Sequence, residues 1–152
     1  MKHNTHALTD FIYDMSSLLD DEQFEDVIKF LDVDFRYHVC AYSNELGKWL
    51  TYLDHDYSEM KDMLAMIPQH VRLDGKFFRT ISMVQIKNTS DDIVDAKSKF
   101  MLSHTSPCGK TKLFAVGRYE DRLRLDGSEY RLLERKVILE TRDLSPGIHI
   151  PI

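Results

Sequence analysis

The sequence is poor in the residues from which most cofactor and nucleophile sites are built. Only two cysteines, Cys40 and Cys108, stand in 152 residues. They are far apart and show neither Cys-x-x-Cys nor Cys-x-His spacing, so the paired ligands that hold zinc or an iron–sulfur cluster are not encoded. No secretory apolar segment opens the chain, and two isolated thiols without a disulfide framework point to a reducing cytoplasm. No apolar run approaches the roughly 18 to 20 residues that a membrane span requires. A charge block of one sign is missing too: the formal charge of −5 arises from 20 basic and 25 acidic side chains mixed along the chain, which disfavours nucleic acid and membrane as partners. A Gly-x-Ser-x-Gly elbow, a glycine-rich phosphate loop, internal repeats and low-complexity linkers are all absent.

What is present fits one domain. A chain of this length with 43% hydrophobic residues buries about two-thirds of its unfolded surface and needs no staple. From Thr5 to Leu19, Ala7, Leu8, Phe11, Ile12, Met15, Leu18 and Leu19 recur at three- and four-residue steps, predicting an amphipathic helix capped by Asn4 or Thr5. A second, short helix is predicted with Asp20 or Asp21 as its cap and Phe24, Val27, Ile28 and Leu31 on one side. The pattern changes after Asp32: Phe35, Tyr37, Val39 and Tyr42 alternate with polar residues as in a strand. A turn over Asn44 to Gly47, a short strand from Lys48 to Leu53 and a third helix from Ser58 to Ile67, stopped by Pro68, follow.

The second half carries four long β-type runs, Phe77 to Lys87, Ala96 to His104, Thr111 to Leu125 and Glu129 to Arg142, which predict an antiparallel meander. Asp126-Gly127 marks a tight hairpin between the last two. Alternation in the third run puts Leu113, Ala115, Gly117, Tyr119, Leu123 and Leu125 on one face and Arg118, Glu120, Arg122 and Arg124 on the other. Strands of this length bend, and Gly117 is the predicted bend or bulge. The fold class is therefore α+β: two or three helices against a highly curved, mainly antiparallel sheet. The apolar tail from Ser145 to Ile152 is expected to pack on something, in its own chain or in a neighbour.

Seven histidines invite a search for metal ligands. His38, His55, His70 and His104 show no paired spacing of the kind a two-histidine, one-carboxylate iron site uses. Asp54-His55-Asp56 is the one dense group, and its neighbours point in different directions, so it reads as a solvated or helix-capping turn. An acid–base pocket drawn from Tyr13, Asp14, Tyr37, His55 and His104 is the enzyme alternative, an isomerase, cyclase or dehydratase working inside the curved sheet. Arginines are more informative. Arg118, Arg122, Arg124, Arg131, Arg135 and Arg142 stud the last two strands, interleaved with Glu120, Glu129, Glu134 and Glu140. They read either as a solvated face laced with weak cross-strand pairs or as a polar subunit interface.

The stretch from Phe114 to Glu140 decides between these readings by resemblance. Gly117-Arg118-Tyr119 with Asp121 and Leu123, the turn at Gly127, then Tyr130-Arg131-Leu132 with Arg135, resembles the closing hairpin of ring-hydroxylating dioxygenase β subunits. Tyr52-Leu53-Asp54-His55-Asp56 before a helix, and Arg79 on a strand, are similar to earlier pieces of that family. Within it, Leu53 to Asp56 looks closest to small subunits of methanesulfonate monooxygenase-like hydroxylases. The resemblance covers nearly the whole chain and implies the cone-shaped fold shared with SnoaL-type (cystatin-like) cyclases, ketosteroid isomerases and scytalone dehydratase. It also implies a structural subunit without a catalytic centre of its own. The partner α subunit would carry the Rieske cluster and the mononuclear iron, in an α3β3 trimer of heterodimers with this chain as a homotrimer. Subunit contacts are then expected from Arg79, Arg118, Arg122, Arg135 and the tail residues Ile148, Ile150 and Ile152.

Overall fold

The computed structural model describes residues 3–69, 73–148 and 150–152. Helix α1 spans Thr5–Asp20, with Asn4 accepting the His6 and Ala7 N–H groups at 3.0 and 3.3 Å. Its buried stripe of Leu8, Phe11, Ile12, Met15 and Leu19 is the one read from the sequence, each side chain contributing about 1.5–3 kcal/mol through burial. The helix stops where Glu22 takes a left-handed φ of 56°. Gln23 N–H then bonds Leu18 O and Glu22 N–H bonds Leu19 O, closing the orphan carbonyls. This stop corrects the predicted cap of the next helix. Helix α2, Phe24–Phe30, has Gln23 at its N-cap without a side-chain bond; Asp20 is drawn away to Arg79.

Strands β1 (Leu31–Ser43) and β2 (Lys48–Asp56) form a hairpin, and α3 (Tyr57–Met66) follows directly. Asp56 starts that helix: it accepts Glu59 N–H at 2.9 Å while the Glu59 carboxylate accepts Asp56 N–H at 3.2 Å, a reciprocal capping box. The capping reading of the Asp54-His55-Asp56 group thus holds. Pro68 lies within a single 3-10 turn, Ile67–Gln69, and His70 lies outside the described residues.

The meander is β3 (Lys76–Asn88), β4 (Ile93–Thr105), β5 (Thr111–Asp126) and β6 (Glu129–Leu139). The sheet order is β2-β1-β6-β5-β4-β3, antiparallel throughout except where β1 runs parallel to β6. Three irregularities bend the strands of the meander. Phe114 is the extra residue opposite Leu102 and Ser103, Leu133 is the extra residue opposite Arg122 and Leu123, and β3 takes an extra residue between Ser82 and Gln85, where Met83 has φ 56°. Gly117, the predicted bend or bulge site, is not a bulge and lies in unbroken register opposite Phe100 and Leu139. The bulge at Phe114 also shifts the alternation, so Leu113, expected in the core, is 61% exposed. β6 ends at Leu139, short of the predicted Arg142, because Thr141 Oγ1 turns back to accept Val116 N–H at 2.9 Å.

The tail measures how far the sheet curls. Tyr37 on β1 and Arg79 on β3 stand four strands apart, about 19 Å if the sheet were flat. Tyr37 bonds Ile152 and Arg79 bonds Pro151, and consecutive residues lie only about 3.8 Å apart. Helices and tail together fill the concave side. Ile150 and Ile152 are buried in the core of their own chain, with Leu144 and Ile148 packed against it; His149 lies outside the described residues.

Gly117 is needed for close approach rather than for φ. A methyl group there would meet the Ile138 carbonyl oxygen and stand 3.0 Å from the Phe100 ring. Gly117→Ala is expected to destabilise the fold by about 1–3 kcal/mol, read as a lowered urea midpoint.

Candidate functional site

Strand alternation and register place a row of polar side chains inside the curl. On β5, Tyr119, Asp121 and Leu123 point inward, and on β6 so do Arg135, Val137 and Leu139. Asp121 lies directly opposite Arg135, and Arg135 opposite Tyr37 on β1. Arg135 Nε and Nη2 donate to the two Asp121 oxygens, both at 2.8 Å, with the two side chains 2% and 1% exposed. The guanidinium also lies over the Tyr119 ring, 4.1 Å from its centroid, and Tyr119 stacks on Phe100 at 4.5 Å. Burial works against the charged guanidinium, but Asp121 outweighs it, so the Arg135 pKa is raised.

A second buried pair guards the rim. Arg79, its side chain fully buried, donates Nη1 to Asp20 Oδ1 at 2.5 Å, and its backbone N–H donates to Asp20 Oδ2 at 2.9 Å. Burial raises the Asp20 pKa despite the bonds from Arg79. Arg79 Nη2 donates to the Pro151 carbonyl. Tyr37 donates to the Ile152 main-chain oxygen at 3.0 Å and accepts the Ile152 N–H at 3.1 Å; burial pushes its phenol up. Three interior atoms carry no hydrogen-bond partner: Arg79 Nε, Arg135 Nη1 and Tyr119 Oη.

These positions correct the sequence reading of two arginines. Arg135, expected among the subunit contacts, is at the centre of the interior, in step with Val137 and Leu139 beyond the bulge at Leu133. Arg79 likewise faces inward. Arg118 and Arg122 do stand on the outer face, with side chains 41% and 47% exposed. Arg122 pairs with Asp95 at 2.9 Å, whereas Arg118 stands 3.8 and 3.6 Å from Glu120 and Glu140. Sequence reasoning missed Asp121 and Asp20. The signal for Asp121 was there: it shares the parity of Tyr119 and Leu123, an acid on an apolar face.

The five acid–base candidates are not brought together. Tyr13 and Asp14 are exposed on α1. His55 is half-buried at the end of β2, 3.4 Å from Glu59. His104 bonds the Asp74 carbonyl at 2.7 Å and packs on Phe77; only Tyr37 reaches the interior. Among the described residues no group of three or more His, Cys, Asp or Glu is arranged to hold a metal ion. Cys40 is buried on β1 and Cys108 exposed in the β4–β5 turn, so this chain's residues do not fit a Rieske cluster, which takes paired Cys and His ligands. An open groove of about 900 Å³ lies outside the rim, lined by Asp20, Asp21, Phe77, Phe78 and Ile150 among others.

The Arg135–Asp121 pair is strongly coupled. Arg135→Met leaves a buried, unpaired carboxylate and is expected to cost about 3–5 kcal/mol, while the double change Arg135→Met with Asp121→Leu is expected to cost less than either of its single changes. Urea unfolding of the four-member cycle checks this.

Comparison with known proteins then places the chain. Residues 15–145 match the family model described as ring hydroxylating beta subunit. The chain is 30% identical over 149 residues to the 2-aminobenzenesulfonate 2,3-dioxygenase subunit beta of Alcaligenes sp., covering 98% of this chain and 99% of that one. It is 26% identical to the methanesulfonate monooxygenase hydroxylase subunit beta of Methylosulfonomonas methylovora, over 96% of this chain and 86% of that one. The crystal structure of the beta subunit of a putative aromatic-ring-hydroxylating dioxygenase from Novosphingobium aromaticivorans superposes with a TM-score of 0.80 at 24% identity, over 91% of this chain and 90% of that one. The curled α+β fold, the matched span and these relatives agree: the chain belongs to the family of ring-hydroxylating oxygenase β subunits.

Proposed function

We propose that this chain is a non-catalytic structural subunit that holds an iron-bearing α subunit in an α3β3 oxygenase, itself forming a homotrimer. The observation that carries this reading is the filled interior. Where a curled-sheet enzyme keeps an open pocket with convergent acid–base groups, this chain packs Tyr37, Tyr119, Arg135, Asp121 and its own tail. The Rieske cluster and the mononuclear iron are assigned to the α subunit, since no fitting ligand set is found among the described residues, and the complex to the cytoplasm; among the described residues no helix is long and apolar enough to cross a membrane. The names of both curated relatives favour an organosulfonate as the substrate of the complex.

Subunit contacts are assigned to the outer face around Arg118 and Arg122, where Met101 and Leu113 add exposed apolar surface. The buried Arg79, Arg135, Ile150 and Ile152 support these contacts from within by fixing the sheet's curl, and Ile148 by packing the tail.

Co-expression with the α subunit tests the proposal. A complex of equal subunit numbers is expected, with iron retained by α and none by the isolated β chain. Arg118→Ala and Arg122→Ala should weaken assembly by about 2–5 kcal/mol where a partner carboxylate is left buried and leave the unfolding free energy of the isolated chain, measured in urea, within about 1 kcal/mol of the parent. An unchanged oligomer by native mass spectrometry would return this face to solvent.

A further inference from the structure

The interior has more hydrogen-bond donors than its own side chains can use. Asp20 is taken by Arg79 and Asp121 by Arg135. Arg79 Nε and Arg135 Nη1 remain buried and unpartnered, as does the Tyr119 hydroxyl. Burying a donor with no acceptor is unfavourable, so three unpartnered groups in one interior call for a partner that the side chains do not supply. The tail serves the donors beside them: the Pro151 carbonyl accepts from Arg79 Nη2, and the Ile152 main-chain oxygen accepts from the Tyr37 hydroxyl. Each of these is an sp² oxygen presented to a buried donor, as a bound carboxylate would present its two oxygens. The apolar Ile150 and Ile152 side chains are buried in the same core as two ring pairs, Phe35 with Tyr37 and Phe100 with Tyr119.

The tail also stands at a doorway. Ile150 and Asp20 line the open groove of about 900 Å³ on one side, while Pro151 and Ile152 touch Arg79 and Tyr37 on the other. No backbone–backbone hydrogen bond ties residues 150–152 to the sheet among the described residues; side-chain donors and apolar burial hold the segment. We propose that the curl contains a site for a small aromatic carboxylate, built from Arg79, Tyr37, Tyr119 and Arg135, and that the chain's own segment 150–152 occupies its entrance. Arg79 and Tyr37 receive the carboxylate oxygens when the tail withdraws, the free Arg135 N–H and the Tyr119 hydroxyl complete their coordination, and the ring takes the place of the isoleucine side chains. The closed form lowers the apparent affinity by the fraction of molecules in which the tail is out.

Benzoate is the probe, titrated calorimetrically into the isolated chain and into a variant lacking residues 150–152 whose fold is verified by circular dichroism. The variant is expected to bind benzoate at least about tenfold more tightly than the parent, and to prefer it to toluene. Adding Tyr119→Phe should weaken benzoate about tenfold and leave toluene unchanged. Equal or weaker benzoate binding by the folded truncated chain overturns the proposal, as does equal affinity for toluene, which marks an apolar hole alone. Should truncation prevent folding, Ile152→Gly keeps the main-chain groups and loosens the plug. A melting temperature of that variant raised by benzoate and not by toluene supports the site; no rise overturns it. The readout uses the isolated chain, so its outcome is separate from that of the assembly experiment.

Discussion

The buried pairing of Arg135 with Asp121 is the constraint around which the rest of the molecule is organised. Two charges withdrawn from water are tolerated only when each is fully matched, and the bidentate geometry supplies that match between adjacent strands. The pair fixes the register of the β5–β6 hairpin, since a slip of one residue would turn both charges to the wrong face. It also sets what can lie around it. The Tyr119 ring lies against the guanidinium, Tyr37 stands beside it on β1, and the parallel junction of β1 with β6 is thereby fixed in place. Removing the pair's charge in favour of apolar side chains would preserve packing volume yet erase the feature that selects this register over its neighbours.

Much of the fold was legible because its elements obey simple periods. The stripe on α1, the tight turn at Gly127 and the four long runs of the meander follow from spacing alone, and the Asp56 cap was among the readings given to its segment. What was not legible depends on interactions distant in sequence. The α2 cap was misplaced because Asp20, 59 residues from Arg79, is committed to that partner. Arg135 points inward in step with Val137 and Leu139 beyond one extra residue at Leu133, and a bulge leaves no mark in a hydrophobic pattern. The bulge at Phe114 likewise puts Leu113 out of step. The parallel placement of β1 beside β6 has no local signal at all.

Polar chemistry in this chain is segregated by depth. Outer arginines pair with carboxylates in solvent, where each pair adds little to stability and remains free to exchange partners. Inner arginines are locked and set shape. An arginine count along the last two strands therefore mixes two populations with opposite roles, and only the register separates them. This division separates the charges that can change partners in solvent from those that hold the register of the sheet.

The junction of β1 with β6 bears on how the chain is made. Val39 sits opposite Val137, so during synthesis the first hairpin and the helices leave the ribosome with one flank of β1 open until nearly a hundred further residues have followed. Contacts of such separation form late and slowly, and an unpaired strand flank invites association with other chains while it waits. The nascent subunit thus spends much of its synthesis time as a half-sheet with an open edge, and the arrival of the final hairpin ends that exposure.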